Sequence, residues 1–214
     1  MTEQQKETIR FYTTNDYLLI NGLLWGEDEA TINQFIDLIN EDGRGVMKEA
    51  EEQGFGKRWE CDEEEGKRIY ETYKKRFPVI DSPKVRDAII RRAKDDVNIL
   101  ISCLEPVDED MIVYRNVPGK YAKNLKVGDV FYHKGFSSCS LNPHIAENAT
   151  YGSSNCTLFK IKVAKGTPAI NIAKYEGIGN EADEIIIPPI NYEIEKIEEG
   201  AVFANAFLHD KFET

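Results

Sequence analysis

Histidine and cysteine are scarce in this 214-residue chain, with three of the first and four of the second. His133, His144 and His209 lie far apart, and Cys61, Cys103, Cys139 and Cys156 show no paired metal spacing, so no metal site is expected. A chain of this length buries enough surface to fold without a disulfide, and Cys103 and Cys156 read as reduced packing residues. Basic residues are outnumbered, 27 Lys and Arg against 38 Asp and Glu, for a net charge of -11. That balance disfavours strong non-specific binding to nucleic acid, which depends on Lys and Arg to release counterions. The basic clusters Lys74-Lys75-Arg76 and Arg91-Arg92 read as solvated helix faces. No apolar run approaches the length of a membrane span, so no membrane partner is expected. The opening Met1-Thr2-Glu3-Gln4-Gln5-Lys6 lacks the basic start and apolar stretch of a signal peptide, so the expected address is cytoplasmic. Delivery into another cell by a dedicated machine would leave no mark in the sequence.

What is present changes character near the middle. Up to Leu104 the apolar residues recur at helical spacing. Thr14 or Asn15 is expected to cap a helix through Tyr17–Leu24, and Ile32, Phe35, Ile36 and Ile39 mark a second helix from Glu29 to about Asn40. A further helix is expected over Val46–Glu52 after a break at Gly43 and Gly45, then another over Glu63–Phe77. Ser82 caps, and Pro83 begins, a helix with an inward stripe of Val85, Ile89, Ala93, Val97, Leu100 and Leu104. Beyond Pro106–Asp110 the period falls to two. Strands are expected at Met111–Arg115, Asp129–Tyr132, Gly135–Ser140, Cys156–Val163, Pro168–Ile172, Glu184–Ile187, Tyr192–Glu198 and Val202–Leu208. Helices followed by strands indicate an α+β fold, with a helical half over residues 1–106 and a β-rich half over 107–214 of a single domain.

Three segments of the second half carry chemistry: Ile112-Val113-Tyr114-Arg115, Gly135-Phe136-Ser137-Ser138-Cys139-Ser140-Leu141, and Glu184-Ile185-Ile186-Ile187-Pro188. Singly each is ordinary: an arginine at a strand end is a good ion-pair partner, the serines suit a polar strand, and the glutamate suits a solvated strand start. Together they supply a guanidinium fork that can grip a phosphate, a small hydroxyl, and a carboxylate that can stabilise a sugar cation.

In this order the segments resemble the mono-ADP-ribosyltransferases of the arginine–serine–glutamate type, which include bacterial exoenzymes, toxins and phage-encoded relatives. Tyr12-Thr13 through Leu24 is similar to that family's first-helix pattern, and Thr157–Ala169 to its central strand and turn. The resemblance implies a split, mostly antiparallel sheet and NAD as co-substrate without a metal. It implies release of nicotinamide and transfer of ADP-ribose to a macromolecule, a protein or alternatively RNA or DNA, by a toxin or effector that can have an antitoxin or delivery partner. On this resemblance Arg115, Ser138 and Glu184 are the expected catalytic residues. Arg115 would hold phosphate and ribose, and Ser138 would orient Glu184. Glu184 would bond the 2′-hydroxyl of the nicotinamide ribose, more strongly as the sugar gains positive charge. Asn116, Gly135, Phe136, Ser140 and Tyr151 complete the expected NAD contacts, with Tyr151 as a stacking ring.

Two positions depart from the family pattern. Cys139 replaces the threonine of a Ser-Thr-Ser segment, a change of similar size. Ala182 stands two positions before Glu184, where the family carries Glu or Gln to engage the acceptor. Transfer to arginine is therefore not the default. Another protein side chain or a nucleobase remains open as acceptor, as do water, which would make the protein an NAD glycohydrolase, and an inactive interaction module of the same fold. Glu181 and Asp183 flank the gap, and strand alternation is expected to turn Asp183 away from the Glu184 side.

Overall fold

The computed structural model describes residues 1–149, 155–175 and 183–208. Its packing divides the chain into two compact units, Met1–Arg10 with Leu100–Thr214, and Phe11–Ile99.

Helices run along the first half as α1 (Glu3–Phe11), a π turn (Tyr12–Asp16), α2 (Tyr17–Trp25), α3 (Glu29–Gln53), α4 (Phe55–Arg58), α5 (Glu63–Arg76) and α6 (Pro83–Ser102). Asp28 and Asp62 cap α3 and α5, each accepting from a backbone N–H three residues on at 2.8 Å. The expected start at Thr14 or Asn15 does not occur, because the helix is already running from Glu3. The polar run there is partly interior. Asp16 is fully buried and accepts from Arg76 Nε at 2.7 Å, while Arg76 Nη2 reaches Asp96 at 2.7 Å. A π turn inserts an extra residue into the helical ladder, which suits the inward placing of Asp16.

Nor is there a break at Gly43 and Gly45: α3 is one helix of 25 residues. Gly43 is there for closeness. A Cβ on it would lie 2.2 Å from the ring of Phe77, which packs with Phe11 and Tyr73 in the core of this unit. A Cβ on exposed Gly45 would meet nothing within 4 Å. Opposite outcomes are expected from the same substitution. Gly43→Ala should destabilise by about 1–3 kcal/mol through overpacking, and Gly45→Ala should stabilise by about 0.5–1 kcal/mol through helix propensity. Urea unfolding midpoints of the two variants check this.

The other unit is a sheet. Its strands are β1 (Glu105–Pro106), β2 (Met111–Pro118), β3 (Val130–His133), β4 (Ser137–Ser140), β5 (Cys156–Val163), β6 (Pro168–Asn171), β7 (Glu184–Ile187), β8 (Ile190–Glu198) and β9 (Ala201–Phe207). Among the described residues they are interrupted by the short helices α7 (Gly119–Ala122) and α8 (Pro143–Asn148) and by a 3₁₀ turn (Ile172–Lys174). The strand order is β1-β6-β7-β4-β2-β5-β9-β8-β3. Every neighbouring pair is antiparallel except β5 with β9, so the expected α+β class with a mostly antiparallel sheet holds. One face carries the core, with Val113, Cys139, Phe159, Ile161, Ile185, Ile187 and Tyr192 buried together. The split lies between β2 and β4. Those strands share a single register pair, Tyr114 with Ser140, whereas β2 and β5 pair along eight residues.

Candidate active site

At this split, β2, β4 and β7 bring the three sequence segments side by side. Ser140 stands opposite both Tyr114 and Glu184, and Ser138 opposite Ile186. Paired residues project to the same side, so Ser138, Ser140 and Glu184 share one face of the sheet. The Ser138 hydroxyl donates to the Glu184 carboxylate. Glu184 is 9% exposed, and a buried carboxylate without such a donor would be costly.

Arg115 arrives differently. Its register partner is Phe159, so its side chain leaves β2 on the core face, with Val113 and Cys139, and not on the face of Ser138. Its Nη1 nevertheless donates to the Ser138 carbonyl at 3.3 Å. With so little pairing between β2 and β4, the guanidinium bridges the gap between them. The three residues meet around one cavity while standing on two sides of the sheet.

That cavity is a cleft open to solvent, with about 440 Å³ of non-atom space in and over it. Arg115, Asn116, Ser138, Ser140 and Glu184 all line it. Gly135 and Phe136, also expected to touch NAD, do not: they are buried in the turn before β4, and Phe136 is fully enclosed. Tyr151, Glu181 and Ala182 lie outside the described residues. Reasoning from sequence missed several lining residues. Tyr114 was seen only as part of the motif. Ile145 and Ala146 come from α8, and Ala149 follows its last residue; this helix is absent from the expected elements, although Asn142-Pro143 is a cap and first-turn signal. Asp183 also lines the cavity, and so does Cys139. Asp183 precedes β7, its carbonyl accepting from Leu141 N at 2.8 Å. Among the described residues no cluster of three or more His, Cys, Asp or Glu is placed to hold a metal ion.

Residues 91–206 match the family described as ADP-ribosyltransferase exoenzyme. This chain belongs to that family. It is accordingly an NAD-dependent ADP-ribosyltransferase, a transferase of bacterial toxin type with NAD as co-substrate. No curated protein matches it in sequence. Its fold is that of the Vis toxin, an ADP-ribosyltransferase from Vibrio splendidus, at 16% identity and TM-score 0.58 over 99% of this chain and 76% of that one. The structure of Vis in complex with agmatine matches at 17% identity and TM-score 0.54, over 96% of this chain and 74% of Vis. No helix among the described residues is long and apolar enough to cross a membrane.

Beneath this cavity, burial keeps the titratable groups around the Arg115 guanidinium neutral. Burial pushes the Cys139 thiol up to about 12, so the residue in the threonine position of the family pattern is not a nucleophile at ordinary pH. Burial likewise raises the Tyr192 phenol, whose hydroxyl donates to Ser137 Oγ at 3.3 Å. His133 on β3 is lowered to about 4, by burial first and then by the Arg115 guanidinium. A ring that stays neutral when folded, but takes up a proton below about pH 6.5 when unfolded, gives stability that is complete above that value. The contribution is lost as pH falls from about 6.5 to about 4. Urea midpoints measured across this window should therefore fall with pH in the wild type. His133→Gln should flatten the slope in that window, and an unchanged slope would assign it to carboxylates alone.

Proposed function

We propose that the cavity at the split binds NAD and that Glu184, Ser138 and Arg115 perform its cleavage, within one transferase domain spanning residues 1–214. The observation that carries this reading is the hydrogen bond from Ser138 to the Glu184 carboxylate inside the cavity. The residues suit the group: a carboxylate faces the space where a sugar cation needs stabilising, a hydroxyl holds it in one orientation, and a guanidinium borders the same space. NAD supplies the ADP-ribosyl group and a leaving nicotinamide. The bond from the ribose C1′ to the nicotinamide nitrogen breaks with its electron pair leaving on nicotinamide, a bond from C1′ to an acceptor atom forms, and the acceptor's proton passes to solvent. Glu184 accepts from the 2′-hydroxyl and gains strength as positive charge develops, so it favours the transition state over the bound dinucleotide. Ser138 fixes the carboxylate rotamer. Arg115 anchors phosphate through charge-assisted bonds while bracing β4 through the Ser138 carbonyl.

The acceptor we infer is a protein side chain. A net charge of -11 makes nucleic acid the weaker alternative. Vis forms a complex with agmatine, a small guanidinium compound, and Asp183 beside Glu184 gives this cavity a second acid that can meet a cation. Membership of an exoenzyme family supports action in the cytoplasm of a target cell, with a delivery partner or an antitoxin as corollary. Labelling of lysate with radioactive NAD tests the acceptor. Protease-sensitive label is expected; nuclease-sensitive label would assign nucleic acid, and free ADP-ribose alone would make the protein a glycohydrolase, as Ala182 allows.

Glu184→Gln keeps the shape of the side chain and removes its charge. Nicotinamide release is expected to fall at least about 100-fold, the scale for a lost electrostatic stabiliser, with NAD affinity nearly unchanged. A full-rate variant refutes the assignment. Arg115→Ala is expected to raise the dissociation constant of NAD about 10- to 100-fold. A fall in kcat with unchanged affinity would leave Arg115 only its brace on β4.

A further inference from the structure

α8 has six residues, too few to stand as a helix unaided. Two devices hold its start: Pro143 at the first turn, and the Asn142 side chain, which accepts from His144 N at 3.0 Å. Its last carbonyls lack partners within the helix. One of them is met from another element, since Asn116 Nδ2 on β2 donates to the Glu147 carbonyl at 3.1 Å across 31 residues of chain. Asn116 is 7% exposed and follows Arg115 directly. The residues that α8 and its C-cap give to the cavity are apolar: Ile145, Ala146 and Ala149. Ile145 is a large aliphatic side chain left 40% exposed there.

We propose that Asn116 is a positioning residue for NAD, acting by pinning α8 so that Ile145, Ala146 and Ala149 form an apolar wall for a flat ring of the dinucleotide. The proposal rests on reading this cavity as the NAD site, and it revises the expectation that Asn116 is itself a ligand. One of its two side-chain N–H groups is committed to the Glu147 carbonyl. Asn116 therefore governs how well the wall is formed, and Glu184 still carries the chemistry of whatever NAD is bound.

Asn116→Asp keeps the size and removes the donor; Asn116→Ala removes both. Each is expected to raise KM for NAD about 5- to 10-fold, the effect of one lost hydrogen bond, with kcat within about twofold. Ile145→Ala should raise KM on its own. Combined with Asn116→Ala it should add little, because a loosened helix has already lost the Ile145 contact. Full multiplication of the two KM effects, or a fall in kcat at constant KM, overturns the proposal. A second readout needs no NAD. In the full chain carrying Ile145→Trp, the anisotropy of the new indole should drop when Asn116→Asp is added. Unchanged anisotropy overturns the clamp. A drop in a protein that binds no NAD would sustain the clamp and reject the NAD reading of the cavity.

Discussion

A carboxylate that is almost wholly enclosed, held by a neighbouring serine across two antiparallel strands, is the constraint on which the rest of this half of the molecule depends. Glu184 is tolerable where it stands because the Ser138 hydroxyl meets it. That meeting requires β4 and β7 to keep register. The three isoleucines after Glu184 enforce it: all are fully buried, with Ile185 and Ile187 in the main core and Ile186 on the opposite face. A slip of one residue would turn the carboxylate into the core and an isoleucine into the cavity. The apolar run that looks like ordinary packing in sequence is what aims the acid.

The open seam between β2 and β4 is the second half of the same design. A fully paired strand there would occupy the space a ligand needs and would keep Arg115 on the core side. With one register pair, the guanidinium reaches the Ser138 carbonyl from below while the Ser138 hydroxyl holds Glu184 above. One serine thus joins the cation and the anion through its backbone and its side chain. The layer under the guanidinium contributes no competing negative charge at ordinary pH, because burial keeps the Cys139 thiol and the Tyr192 phenol protonated.

Strand periodicity made β5 and β7 readable to the residue, and the α6 stripe was equally plain, because each depends on neighbours along the chain. The failures were non-local. Gly43 reads as a breaker until Phe77, 34 positions on, is seen against it. Thr14 or Asn15 reads as a cap until the neighbouring Asp16 is found buried against Arg76, which also holds Asp96. At the site, the order of Arg115, Ser138 and Glu184 carried the family, but not the two faces from which they converge. Which face a residue takes follows from local alternation. That a seam opens between two particular strands follows from pairings made 26 to 52 residues apart.

The family's Ser-Thr-Ser pattern acquires a physical reading from the cysteine that interrupts it here. Strand alternation sends Ser138 and Ser140 to the cavity side and the residue between them to the core, where Cys139 packs with Val113, Ile185 and Tyr192. Cys139 borders the cavity but is only 4% exposed, so what the position asks for is a small group that tolerates burial. The middle residue therefore belongs to the packing that keeps β4 in register and the outer two to the cavity. The substitution leaves the hydroxyl that matters to Glu184 untouched.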